Sequence, residues 1–217
     1  MSEVPGKKQA SAPETSGHTI RWWARWYDIT SWLMSFGQAG GITRKAIEIA
    51  SPATGEKVLD VGCGTGRLTF GAREQAPGAE IYGIDASPEM IEVARRKARG
   101  KKADVDFRTA VIEDLPFADG EFDLVLSGFM LHHLPEDVKK NGMAEVARVL
   151  KPGGRFVAVD FSGSGGGFVG HVVTLFGHGH SHAGMDQLLE VIKAAGFAEV
   201  ELVETKFKSL AFIRARK

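Results

Sequence analysis

The chain has 217 residues, enough for one α/β domain with a sizeable core. Its 27 lysines and arginines balance 27 aspartates and glutamates, so no global charge argues for a nucleic-acid partner. A single cysteine excludes an intramolecular disulfide, and no apolar run approaches the ~20 residues of a membrane span.

Residues 1–18, "MSEVPGKKQASAPETSGH", are small and polar and lack an apolar signal core. Their composition predicts a disordered tail rather than a targeting signal, and with the lone cysteine it fits a cytoplasmic location. Residues 19–51 read as an N-terminal helical lid. Within them Trp22, Trp26, Ile29, Leu33 and Phe36 recur at 4-3-4-3 spacing, the mark of an amphipathic helix or a pair of short ones. That stripe suits two jobs, covering a pocket or dipping into a membrane interface, where tryptophan is favoured. The segment "TRKAIEIA" predicts a further helix, ended by Ser51, Pro52 and Gly55.

From residue 52 to 217 strands and helices alternate. "KVLDVG" reads as a strand and "GRLTFGAREQA" as its helix; "EIYGID" is a second strand. "SPEMIEVARRKA" follows as a helix capped by Ser87, with Pro88 in its first position. "DVDFRTA" and "FDLVLSG" are the third and fourth strands. "EDVKKNGMAEVARVL" is a helix stopped by Pro152, Gly153 and Gly154, and "RFVAVDF" is the fifth strand. A late helix, "DQLLEVIKAA", precedes a closing hairpin of "AEVELVE" and "FKSLAFIRA". Residues 162–184, rich in glycine and histidine, read as a flap hinged on glycine. His178, His180 and His182 alternate there, but no cysteine or second histidine cluster supports a metal site. The expected fold is therefore α/β, a Rossmann-like doubly wound sheet of seven mostly parallel strands with an antiparallel C-terminal hairpin.

Ligands of such sheets bind beyond the carboxyl ends of the strands, at the point where strand order reverses. The stretch "VLDVGCGTG" marks one such end. Gly62, Gly64 and Gly66 permit positive φ and close backbone approach, and Asp60 adds a carboxylate at the end of an apolar strand. Cys63 between them reads as a small buried filler. The dinucleotide fingerprint G-x-G-x-x-G, counted from Gly62, would place its third glycine at Arg67, which lowers the NAD reading.

Four stretches in order, "VLDVGCGTG", "GIDASPEMIEVAR", "LPFADGEFDLVLSGFMLHHL" and "VLKPGGRFV", resemble the class I S-adenosylmethionine-dependent methyltransferases. The nearest likeness is to the branch holding the ubiquinone and menaquinone biosynthesis C-methyltransferases and small phospholipid N-methyltransferases. The resemblance covers residues 20–160 well and the last segment loosely. It implies S-adenosylmethionine as cofactor and methyl transfer, by in-line displacement, to a small apolar or lipid-like acceptor, a quinone ring carbon or a phospholipid amine. By resemblance Asp60, Gly62, Gly64, Thr65 and Gly66 line the methionine end, Asp85 and Ala86 the ribose, and Met90 the adenine, while Ser127 borders the aminoacyl end. Where relatives carry an acidic residue for the adenine amino group, this chain has Val111, leaving the amides of Val111 and Ile112, or Glu113, to meet the ring.

Tyr27, His133 and Asp160 are the candidates for a base, needed only if the acceptor must lose a proton. Tyr27 lies in a segment, "WYDITSWLMSFGQ", similar to the opening segment of the quinone and lipid branch. The implied partners are a small-molecule or lipid acceptor and, through the tryptophan stripe, the inner face of the membrane. The alternatives are methylation of a soluble metabolite, an NAD-dependent oxidoreductase, and a cofactor-binding module without turnover.

Overall fold

A computed structural model describes residues 39–162 and 182–217. The tail, the tryptophan stripe with Tyr27, and the flap from 163 to 181 lie outside the described residues. The described elements run α1 (Ala39–Ala50), β1 (Lys57–Val61), α2 (Arg67–Gln75), β2 (Glu80–Asp85), α3 (Pro88–Lys101), β3 (Asp106–Thr109) and β4 (Phe122–Gly128). After a 3-10 turn (Leu131–His133) come α4 (Glu136–Val149), β5 (Leu150–Phe161), α5 (His182–Ala194), β6 (Glu199–Leu202) and β7 (Leu210–Arg216). No helix among the described residues is long and apolar enough to cross a membrane.

The seven strands form one sheet in the order β3-β2-β1-β4-β5-β7-β6. The first five are parallel, and β7 runs antiparallel to both β5 and β6. The expected architecture is thus present, seven strands and C-terminal hairpin included. Strand order reverses between β1 and β4, which makes that junction the switch point.

Central strands read as continuous apolar runs because helices cover both faces. Alternate residues then serve different helices. Val58, Leu124, Leu126, Val157 and Val159 pack with Ile42, Ala46 and Ile47 of α1 and Leu68 and Ala72 of α2. Their neighbours Leu59, Val61, Val125, Phe156 and Ala158 pack with Met143 and Val146 of α4 and Leu188 and Ile192 of α5. A third cluster joins Phe70 of α2 and Phe107 of β3 to Ile91 and Ala94 of α3. Arg155 of β5 pins the end of α1: its guanidinium meets both Glu56 carboxyl oxygens at 2.8 Å and donates to the carbonyls of Ala50 and Ser51.

Three boundaries differ from the sequence reading. The late helix, α5, starts at His182, four residues before "DQLLEVIKAA", so residues 182–184 of the expected flap are helical. The helix α1 starts at Ala39, four residues before "TRKAIEIA". More consequentially, Pro152 and the glycine pair do not end a helix. α4 stops at Val149 and the chain enters β5 directly at Leu150, which is fully buried and pairs with Phe122. The KPGG stretch is an irregularity inside that strand, lying between the Phe122–Leu150 and Leu124–Arg155 pairs, and Gly153 takes φ +75° there.

Candidate functional site

The loop after β1 is built on three left-handed glycines, Gly62, Gly64 and Gly66, with φ of 70°, 53° and 89°. A Cβ on Gly62 would stand 2.5 Å from Cγ of Met130, so the β4 loop presses directly on this backbone. A Cβ on Gly66 would meet Phe70 at 2.8 Å and Phe107 at 3.0 Å. These positions are glycine by necessity. Cys63 between them is buried; its amide donates to the Ile84 carbonyl, and burial pushes its thiol up, as befits a filler.

Asp60 is 1% exposed. Its Oδ2 accepts from the amide (2.9 Å) and hydroxyl (2.5 Å) of Thr69, fixing the first turn of α2. Its Oδ1 is buried without a hydrogen-bond partner. Burial pushes the carboxyl up to about 7, the Thr69 bonds oppose this, and the charge of Asp85 adds to it. Ser127, in register with Val61 on the neighbouring strand, is also 1% exposed, and its Oγ is the second buried oxygen without a partner. Both therefore stand at the switch point.

Asp85 ends β2 and holds two loops at once. Its Oδ2 accepts from Gly64 N at 2.8 Å and its Oδ1 from Ser87 N at 2.9 Å. Burial raises its carboxyl, against these two amides. Each oxygen keeps a further lone pair, so a diol can still be received. Ala86 is exposed beside it. Ser87 caps α3 as expected, its Oγ accepting from Met90 N at 3.2 Å, and Met90 is buried beneath this corner. Thr65 is 3% exposed and accepts from Lys97 Nζ at 3.0 Å.

Val111 and Ile112 follow β3, both buried, with the Ala110 amide donating to the Asp85 carbonyl. The stretch beyond them is clamped by a group that sequence reasoning did not single out. Arg148 of α4 donates to the carbonyls of Leu115 and Phe117 and to the carboxylates of Glu145 and Asp119. Glu145 in turn accepts from Leu115 N at 2.9 Å, and the guanidinium holds its carboxyl below the usual range. The structure thus brings together Asp60, the glycines, Asp85, Met90, Val111, Ile112 and Ser127 along the carboxyl ends of β1 to β4.

Of the candidate bases, Asp160 ends β5 at 2% exposure. Its partner is His132 rather than His133. The carboxylate accepts from His132 N at 3.0 Å and contacts His132 Nδ1 at 2.6 Å. His133 lies with its ring 3.7 Å from that of His132.

Residues 58–154, which hold this arrangement from β1 into β5, match the family model described as a methyltransferase domain. Over those residues the chain is similar to a methyltransferase domain. It is 40% identical over 135 residues to the demethylmenaquinone methyltransferase of Thermus thermophilus, covering 62% of this chain and 60% of that one. The chain spans about 60% of the length of the curated relatives it matches. Among solved structures, the fold of the chain is shared with a SAM-dependent methyltransferase from Aquifex aeolicus at a TM-score of 0.66 and 21% identity, covering 80% and 88% of the two chains. It is shared equally with the 4+2 cyclase SpnF, at 0.69 and 24%, covering 82% and 81%. This fold alone does not fix the reaction.

Proposed function

We propose that the protein binds S-adenosylmethionine and transfers its methyl group to a ring carbon of a demethylmenaquinone-type acceptor. The observation that carries the cofactor reading is the pair of unpartnered buried oxygens, Asp60 Oδ1 and Ser127 Oγ, beside a loop that admits no side chain at Gly62. A buried polar atom without a partner is costly unless a ligand supplies one. The donor set suits this cofactor, whose amino group is cationic and which carries no phosphate. Two carboxylates, Asp60 and Asp85, line the site, and they would repel a pyrophosphate. The acceptor reading rests on the names of the relatives, demethylmenaquinone methyltransferases at up to 40% identity.

The bound cofactor supplies an electrophilic methyl group on a sulfonium. What the chain supplies is position. Asp60 and Ser127 take the amino-acid end, Asp85 the ribose diol, and the backbone of Val111 and Ile112, held by the Arg148 clamp, the base. Holding a nucleophile ~3 Å from a methyl carbon and excluding water contributes on the order of 7–11 kcal/mol to such a transfer.

Adenosylhomocysteine should raise the melting temperature, and NAD should not. A ligand that binds only the native state at ~100 Kd adds about 2.7 kcal/mol. Mass spectrometry of a short-chain demethylmenaquinol incubated with S-adenosylmethionine should show a gain of one methyl group. A shift with NAD alone sinks the cofactor reading; binding of adenosylhomocysteine without methylation sinks the acceptor reading.

A further inference from the structure

The end of β5 holds a constellation that the cofactor site does not use. Asp160 is 2% exposed and accepts three hydrogen bonds: from His132 N (3.0 Å), from the Phe161 amide (2.8 Å), and from His132 Nδ1 (2.6 Å). A carboxylate can only accept, so Nδ1 carries a proton, and in the neutral imidazole Nε2 is left with the lone pair. The imidazole is further fixed between rings, edge-on to Phe161 at 5.0 Å and against His133 at 3.7 Å. It borders a small, mostly apolar pocket whose other walls include Phe161, Met185 and Leu188, with Lys139 at the side. His132 is the 3-10 turn residue two positions beyond Met130, the side chain that presses on Gly62. The pocket therefore adjoins the switch point one strand over, on the β5 side.

We infer that His132 is the general base for the methyl acceptor and that Asp160 positions it. This rests on the proposed function, for a quinone ring is a carbon nucleophile only as its hydroquinone. In the step, a ring hydroxyl gives its proton to Nε2 of His132. The oxygen's electron pair moves through the ring to the adjacent unsubstituted carbon, which bonds to the methyl group as the C–S bond breaks and its electron pair stays on sulfur. That carbon then loses its own hydrogen as a proton to solvent. The imidazolium returns its proton to the oxygen, restoring the aromatic hydroquinone, so one proton is released per turnover and no redox partner is needed.

A purely structural role has a different signature. Asp160 also anchors the 3-10 turn through the His132 amide, and an asparagine oxygen can keep that bond while losing the acceptor for Nδ1 and for the Phe161 amide. The experiment measures kcat and KM for a short-chain prenylated 1,4-naphthohydroquinone kept reduced by dithionite, with adenosylhomocysteine affinity and melting temperature recorded for each protein. His132→Gly and His132→Asn should lower kcat by about 100-fold or more, within the range of general-base effects. KM and adenosylhomocysteine affinity should change little. Free imidazole should restore activity to His132→Gly but not to Asp160→Asn, which should melt somewhat lower for want of the Phe161 acceptor yet fold, while its kcat falls. A His132→Asn protein with kcat within about 3-fold of wild type overturns the inference, as does a folded His132→Gly protein that imidazole does not rescue. Should His132→Gly fail to fold, full activity in Asp160→Asn overturns it equally. Wild-type protein inactive on the hydroquinone yet binding adenosylhomocysteine overturns the acceptor reading, and this role with it.

Discussion

Asp60 keeps a proton in the folded chain over an interval, from about 4 to about 7, in which the unfolded carboxyl has already lost it. The folded state then binds more protons, so this group's contribution to stability declines as pH rises through that window. A cationic amino group delivered to the orphaned Oδ1 reverses the preference by favouring the carboxylate. Adenosylhomocysteine affinity should therefore rise from pH 5.5 to pH 8, and binding near pH 6 should release a proton. Titration calorimetry in two buffers of different ionisation enthalpy reads that release directly. Equal heats in both buffers, with affinity independent of pH, would show that the ligand does not meet Asp60. Asp60→Asn should abolish the pH dependence while retaining the oxygen that accepts from Thr69.

The loop between β1 and α2 is the element on which the proposed cofactor site turns, and its conformation was legible because its constraint is local. Three glycines at alternate positions announce positive φ, and all three adopt it. The cost of breaking it can be divided. Gly55→Ala would impose positive φ (86°) with nothing within 4 Å of the new carbon, whereas Gly62→Ala would add a contact at 2.5 Å with Met130. Strain alone costs about 1–3 kcal/mol, and overpacking a further 1–3 kcal/mol. Thermal denaturation should show Gly62→Ala the less stable of the two, and only that variant should lose adenosylhomocysteine affinity. The Ser87 cap was legible for the same local reason. Long-range decisions were not. Pro152, Gly153 and Gly154 carry the marks of a helix stop, yet Gly153 N donates to Lys217 O and Lys217 N to Gly154 O, a pairing with residues far along the chain. His132 and Asp160 are 28 residues apart, and the reach of Arg148 to Phe117 spans 31. Two adjacent histidines in a sequence give no sign which one the sheet presents to a carboxylate.

At the scale of the whole molecule, the proposed prenylated acceptor would have to be drawn from a lipid phase. The tryptophan stripe, Trp22, Trp26, Ile29, Leu33 and Phe36, has Arg21 and Arg25 beside it. Full-length protein should co-sediment with anionic vesicles in low salt and a protein lacking residues 1–36 should not, while adenosylhomocysteine affinity stays the same in both. Co-sedimentation of both, or of neither, excludes that stripe as the membrane contact. The sheet itself imposes an order of assembly on the polypeptide. β6 is synthesised before β7 but among the described residues pairs with β7 alone, and β7 is what lies against β5. Until Leu210–Arg216 leave the ribosome, the apolar β5 edge from Arg155 to Phe161 stays open and β6 has no place in the sheet. Closure must then wait for a pairing remote in sequence, the slow kind of event in folding. The nascent chain is most open to mispairing in that interval, so a stall before residue 210 withholds two strands from the domain, not one.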